Sequence, residues 1–325
     1  MKKIALSLLA ILLLVGCGKT TPKQEKETVK LVLDWTPNTN HTGLYVALEN
    51  GYFEDVNLEI VQPPEDGAVG LVASKGAEFG VSFQDSLVPV FTKDEPLPVT
   101  AVAAMIQHNT SGLVSLKEKG IDRPAKLEGH TYATWDMDIE KAIVAKVIED
   151  DGGNFSKVNL VPSTVTDIVS ALKTQVDAVW IFDAWDGAKL RSEKTEINYF
   201  NFADYGKELD YYTPVLIANN DYLQAHPEQA KSVLSAIRKG YEFAIENPKE
   251  AADILMKHVP ELQSSEAMIY ESQNFLADKY QAEASQWGIF DAERWNAFHD
   301  WLYEIKIIEK PIDKGFGFSN DFIEK

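Results

Sequence analysis

The stretch Val29–Asp55, VKLVLDWTPNTNHTGLYVALENGYFED, carries the reading on which the rest depends. Val29, Leu31 and Leu33 alternate with Lys30 and Val32, the pattern of a short, mostly buried strand. It runs into Trp35 and then into Thr36–Asn40, a loop by composition. Thr42 or Asn40 can cap a helix whose apolar face is Leu44, Tyr45 and Leu48 and which Gly51 ends. Such a unit sets Trp35, Asn38, Asn40 and His41 at the carboxyl end of a strand and at a helix N-terminus. In open α/β sheets small ligands sit at that rim. By periodicity alone, Trp35 can equally be a core residue and the loop a plain turn.

The same motif recurs along the chain. Val56–Val61 alternates as a second strand, and Val69–Lys75 forms a short helix closed by Gly76. The strand Phe79–Ser82 ends in Phe83-Gln84-Asp85-Ser86, and the apolar strand Val99–Ile106 ends in Gln107-His108-Asn109. From Gly112 the chain leaves for a second lobe, whose first strand ends at Trp135. Its helices are Ile139–Ile148 and Val165–Lys173, and its strands include Val158–Val161 and Ile197–Phe202. The strongly apolar strand Val176–Phe182 ends in Asp183-Ala184-Trp185-Asp186-Gly187. Tyr211–Ile217 returns to the first lobe, and the remainder is helical: 228–247, 249–258, 264–280 and 292–305. This order predicts two α/β lobes joined by a two-crossover hinge, 29–112 with 214–325 and 113–213.

The first sixteen residues read as a leader: Lys2 and Lys3, an apolar run Ile4–Val15, then Gly16. Leu14-Val15-Gly16-Cys17 matches a bacterial lipobox, which makes Cys17 the lipidation site and the mature N-terminus at the extracytoplasmic face of the cell membrane. Residues 17–28 read as a polar, disordered tether. Losing the leader moves the net charge from −19 to −21, which argues against nucleic acid as a partner. One cysteine leaves no disulfide and no thiolate metal site. The sequence has no G-x-S-x-G elbow, Walker A loop, H-E-x-x-H or Rossmann glycine fingerprint, and its six histidines show no metal-ligand spacing. No catalytic residue, metal or cofactor is expected.

The rims supply aromatic faces near amides and carboxylates: Trp35, Phe83, Trp135, Trp185, Tyr211 and Tyr212, with Asn38, Asp85, Asp183 and Asp186, and with His41 and His108 close by. Trp180, Trp287, Trp295 and Trp301 read as core. Flat heteroaromatic ligands stack on such rings, their exocyclic amines donate to carboxylates, and their ring nitrogens accept from amides. No arginine falls on the rims as read, which argues against a sulfonate or phosphate ligand.

The run Asp34–Gly43 (DWTPNTNHTG), with Gly51-Tyr52-Phe53, resembles the opening of the ThiY-like proteins, which bind thiamine pyrimidine precursors for bacterial ABC importers. FGVSFQDS, AAMIQHNTSG, DAVWIFDAWDG and DYYTPVLIANNDYL, starting at Phe79, Ala103, Asp177 and Asp210, extend the resemblance over nearly the whole mature chain. It implies a bilobed, type II periplasmic-binding-protein fold and ABC permease and ATPase partners. The implied ligand is a 4-amino-2-methylpyrimidine such as its formylaminomethyl derivative. By motif, stacking falls to Trp35 with Tyr211 or Tyr212, and the amine to Asp183 or Asp186; many relatives carry Glu at the latter position. The family also includes pyrimidine-forming enzymes that consume their own pyridoxal phosphate, a chemistry that a lipoprotein leader argues against. The rival readings are a binder of riboflavin or of an alkylsulfonate, such an enzyme, and a structural surface lipoprotein.

Overall fold

Two five-stranded sheets, each wound on both faces by helices, organise the chain. The structure is a computed structural model and describes residues 26–65 and 67–323; the leader, Cys17 and most of the tether lie outside the described residues. The first sheet holds β1 (Glu27–Val32), β2 (Val56–Val61), β3 (Phe79–Ser82), β4 (Val99–Ala104) and β10 (Val215–Asn219), in the order β2-β1-β3-β10-β4. The second holds β5 (Ser111–Leu116), β6 (Thr131–Thr134), β7 (Asn159–Pro162), β8 (Ala178–Phe182) and β9 (Ile197–Asn201), in the order β7-β6-β8-β5-β9. In each sheet one strand runs antiparallel to its neighbours: β10 in the first, β5 in the second. These two strands follow the crossovers, so each sheet receives the chain from the other lobe in reversed direction. The strand order is therefore the same in both lobes. β1 starts at Glu27, two residues inside the stretch read as tether, because Glu27 and Thr28 pair with Val56 and Asn57.

Side-chain alternation decides what each face meets. Val29, Leu31 and Leu33 pack with α1 (Thr42–Glu49) and α8 (Pro227–Glu246), which lie on one face of the first sheet. Val32 joins the other face with α2 (Ala68–Ala73), α3 (Gln84–Phe91) and α11 (Ala292–Glu304). In the second lobe α4 (Asp138–Asp150) covers Tyr132 and Trp180, whereas α5 (Ile168–Thr174) and α6 (Ala188–Ser192) cover Ala133, Val179 and Ile181. The helices α7 (Asn220–Ala225), α9 (Pro248–His258) and α10 (Glu266–Ala277) complete the first lobe. At ~1.5–3 kcal/mol for each fully buried Leu, Val or Phe, these faces carry most of the stability. α1 and α8 approach so closely that a Cβ on Gly240 would overlap the Gly43 carbonyl oxygen. α3 was not read from the sequence; Pro89 stands inside it, a residue that usually argues against a helix interior. Among the described residues no helix is long and apolar enough to cross a membrane.

Candidate functional site

The carboxyl end of β1 is stiffened before it reaches solvent. His41 is fully buried; its Nε2 lies 2.7 Å from Asp34 Oδ1, and its Nδ1 accepts the Asn38 backbone N–H at 3.1 Å. The Asn38 side chain accepts the Asn40 N–H and caps a short 3₁₀ turn, Thr39–His41, that leads into α1. Asn38 thus caps the 3₁₀ turn, while α1 itself starts after His41 with no side-chain cap from Asn40 or Thr42, and both Asn38 and His41 are structural in this arrangement. They hold up Trp35, which is 58% exposed.

β3 delivers Phe83 and Asp85. Phe83 faces Phe182, at the end of β8, with ring centres 5.8 Å apart and planes inclined by 18°. The pair spans the two lobes. Asp85 stands in the first turn of α3 and accepts only the neighbouring Ser86 N–H, at 2.9 Å. Burial of this carboxyl outweighs that backbone hydrogen bond and pushes it up to about 6.

The second rim is built on a π-turn, Asp183–Gly187, that follows β8 directly. Asp186 accepts the Phe182 N–H at 3.3 Å, and burial pushes it too up to about 6. Asp183 behaves differently, for its Oδ1 receives Arg191 at 2.6 Å while the same guanidinium reaches Glu271 on α10, also at 2.6 Å. Gly187 is needed here: a Cβ would collide with the Asp183 carboxylate. Trp185 turns away from the rim and packs with Tyr45, Leu255, Met256, Met268 and Ile269, an apolar contact between the lobes. Ser272 of α10 adds a hydrogen bond to the Ala184 carbonyl beside it.

Trp135, 41% exposed, sits at the end of β6 with its ring 5.3 Å from that of Trp180. Glu140 fixes the loop that carries it. This buried carboxylate accepts the hydroxyls of Tyr132 at 2.7 Å and Thr134 at 2.8 Å, and the N–H groups of Trp135 at 3.1 Å and Met137 at 3.3 Å. Asp136, between them, adopts a left-handed φ of +65°.

The remaining predicted site residues lie elsewhere. Tyr211 and Tyr212 are core residues: Tyr211 stacks on Phe298 at 4.2 Å, and the Tyr212 hydroxyl accepts the Asp291 N–H at 2.7 Å. Neither offers a free face for stacking. His108 belongs to the hinge, where Nδ1 meets Asp210 and Nε2 meets Glu283, each at 2.7 Å. The Asp210 hydrogen bond leads in raising its pKa, and Glu283 is held down at about 2, chiefly by His108. His108 and Asp210 line a cavity of about 450 Å³ with Asp183, Tyr199, Phe275 and Lys279, on the side of the hinge bordered by α10. Arginine does reach the rims, contrary to the expectation: Arg191 at Asp183, and Arg294 at Asp210 and Glu283. Both are already paired with carboxylates. Sequence reading missed Phe182, read as the end of a strand, and Glu140, whose third position in a helix is the one signal that marks it as a backbone acceptor.

The structure thus brings Phe83 and Phe182 face to face, with Asp186 accepting the Phe182 N–H and Asp85 two residues beyond Phe83, while Trp35 and Trp135 stand exposed beyond the ends of the neighbouring strands β1 and β6. Comparison with known proteins agrees with this bilobed plan. The chain is 33% identical over 98% of its length to a formylaminopyrimidine-binding protein of Halalkalibacterium halodurans, 98% of which is covered. It is 24% identical over 74% of its length to a 4-amino-5-hydroxymethyl-2-methylpyrimidine phosphate synthase of Legionella pneumophila, with 76% of that protein covered. Its fold matches the periplasmic aliphatic sulphonate binding protein SsuA from Escherichia coli with a TM-score of 0.68 at 15% identity, over 89% of this chain and 91% of that one. The fold is the bilobed type II fold of periplasmic binding proteins. Residues 38–251 match the NMT1/THI5-like family, and with two-thirds of its length so matched the chain belongs to that family.

Proposed function

We propose that this protein is the substrate-binding component of an ABC importer and captures a 4-amino-2-methylpyrimidine, such as N-formyl-4-amino-5-aminomethyl-2-methylpyrimidine, for thiamine salvage. On this reading it is not an enzyme. It is lipidated at Cys17 and held at the extracytoplasmic face of the cell membrane, where it docks on a permease–ATPase pair. Residues 29–112 with 214–325 and residues 113–213 act as the two lobes that close on the ligand.

One observation carries the choice of ligand. Asp85 and Asp186, one from each lobe, are both pushed up to about 6 by burial and have no cation bonded to them. Asp186 accepts the N–H of Phe182 and Asp85 follows Phe83 by two residues, and these two phenyl rings face each other between the lobes. Half-buried carboxylates short of donors favour a ligand that supplies N–H groups. Aromatic contacts are ~3.5–4.0 Å apart face to face, so a ring entering between Phe83 and Phe182 requires the lobes to part and then close on it. Asp183 is committed to Arg191, which leaves Asp186 as the amine partner in the second lobe. The test is thermal melting of the purified protein with the formylaminomethyl and hydroxymethyl aminopyrimidines, thiamine, riboflavin and an alkylsulfonate. A ligand at ~100 times its Kd adds ~2.7 kcal/mol. Shifts with the aminopyrimidines alone support the reading; a shift with riboflavin or the sulfonate alone overturns it.

A further inference from the structure

We infer that Ser272, on α10, is a positioning residue for ligand capture: its hydroxyl joins the loop that carries Trp35 in one lobe to the π-turn that carries Asp186 in the other. The inference rests on the aminopyrimidine reading above and deepens it. Three hydroxyls and two carbonyls form one chain of hydrogen bonds. Ser272 donates to the Ala184 carbonyl, so its single proton is spent. The Thr39 hydroxyl, 2.5 Å from Ser272 Oγ, must then be the donor in that contact. The Tyr280 hydroxyl in turn donates to the Thr39 carbonyl at 2.6 Å. Thr39, Ala184, Ser272 and Tyr280 are all buried. Thr39 opens the 3₁₀ turn four residues after Trp35, and Ala184 stands in the π-turn two residues before Asp186. Both rims are therefore held to one side chain.

Its choice of partners separates Ser272 from an ordinary helix serine. Mid-helix serines often bond back to the carbonyl four residues earlier, whereas Ser272 bonds two other segments, one of them in the opposite lobe. The rest of its stripe on α10 faces the second lobe as well. Met268 packs with Trp185, Glu271 bonds Arg191 at 2.6 Å, and the Phe275 ring lies 5.6 Å from the same guanidinium; positions 268, 271, 272 and 275 share one helix face. Long side chains follow a partner over some distance, but a hydroxyl–carbonyl hydrogen bond is gone once its oxygens are ~3.5 Å apart. The Ser272–Ala184 bond therefore exists only while the lobes are together. When they part, both groups return to water, so removing the hydroxyl penalises the closed form alone.

The probes are the formylaminomethyl and hydroxymethyl aminopyrimidines, followed by calorimetry and stopped-flow kinetics on the purified protein, with melting of the unliganded protein beside them. Ser272→Ala strands the Ala184 carbonyl in the closed form, so affinity should fall about five- to thirtyfold, mostly through faster dissociation. The unliganded melting temperature should move by no more than ~2 °C. Thr39→Val keeps the shape and the Tyr280 bond to the carbonyl but removes the hydroxyl. It should lose about two- to tenfold, because Ser272 still serves Ala184, and it decides the matter if Ser272→Ala does not fold. A double-mutant cycle with Asp186→Asn gives the readout that a purely structural serine would leave unmoved. Ser272 acts through the turn that carries Asp186, so the two losses should overlap by about threefold or more instead of multiplying. Unchanged affinity in both variants overturns the inference, as do losses that multiply independently or an unliganded melting temperature lowered like that of a core truncation. A wild type that binds neither pyrimidine overturns the parent reading and the inference with it, whereas a wild type that binds them beside indifferent variants overturns the inference alone.

Discussion

Two groups of aromatic side chains, alike in chemistry, meet opposite fates in this molecule. In the helical part of the first lobe Trp287 is completely buried, stacked on Tyr241 at 4.3 Å with planes 9° apart, and its indole N–H donates to the Met105 carbonyl at 3.1 Å. At the strand ends Trp35 and Trp135 stand 58% and 41% exposed, on loops whose backbones are tied down by Asp34–His41–Asn38 and by Glu140. In the first group rigidity comes from packing of the ring. In the second the backbone is rigid and the ring is free. An exposed ring on a fixed backbone is what a site must hold ready before its ligand arrives, because little ordering is then left for binding.

The contrast is broken most severely in the packed group. Trp287→Ala removes a filled, hydrogen-bonded volume and should cost ~3–5 kcal/mol; urea denaturation should show a lowered midpoint without change in slope. An unchanged midpoint would mean that these rings do not carry the lobe. His299 gives the next largest effect. Burial lowers it to about 4, and as the neutral imidazole it sits within 3.4 Å of the Gln84 amide nitrogen. Its unfolded value is ~6.5. The unfolded chain therefore binds the proton first as pH falls, and the stability this group contributes, present above pH ~6.5, declines until the native group protonates near 4, a loss of ~3 kcal/mol. Asp85 and Asp186 have raised values and act oppositely between their unfolded value of ~3.8 and about 6. The measurement is therefore the difference between wild type and His299→Gln, followed by denaturation from pH 7 to 4. A constant difference across that range would remove His299 from the acid response.

The two groups were unequally legible in the sequence. The strand–loop–helix pattern of Val29–Asp55 and its repeats disclosed both lobes, both crossovers and which aromatics end strands, since those features follow from local alternation and turn residues. Tyr211 and Tyr212 also stand in a crossover and were read as rim residues, yet Phe298, Phe290 and Trp295 from the distant α11 segment cover them. No local pattern announces a partner some eighty positions away. The same limit applied to the acids. Asp183 and Asp186 look equivalent in DAWDG, but the π-turn aims only Asp183 at Arg191, and π-turns have no reliable sequence signature. Phe182 was hidden for the opposite reason, since an apolar residue closing an apolar strand looks like core until Phe83 is seen across the cleft.

Asp186 sharpens the contrast on the polar side. If it receives the ligand's amine, Asp186→Asn exchanges a charge-assisted hydrogen bond for a neutral one, and affinity should fall ~10- to 100-fold with little change in melting temperature without ligand. The wild-type carboxyl is protonated below about 6, so binding should weaken as pH falls through that value and recover above it. The variant should keep a shallower dependence, from Asp85 alone. Calorimetric titrations at pH 5 and pH 7.5 distinguish the cases, and parallel curves for variant and wild type would exclude Asp186 as the amine acceptor.

Trp35→Ala is the smallest predicted effect and the most informative about exposed rings. The side chain touches little in the unliganded protein, so its removal should change stability by no more than ~0.5 kcal/mol. Its stacking contribution, ~0.5–1.5 kcal/mol beyond buried area, should appear as a loss of affinity of about two- to tenfold or slightly more. Trp35→Phe should restore part of that loss, because a smaller ring still offers a face, whereas Trp35→Leu should restore less at similar bulk. If leucine serves as well as phenylalanine, the residue supplies apolar area without stacking. If alanine instead lowers the melting temperature as Trp287→Ala does, the ring is packed in solution, and the division between free and buried aromatics fails at its most exposed member.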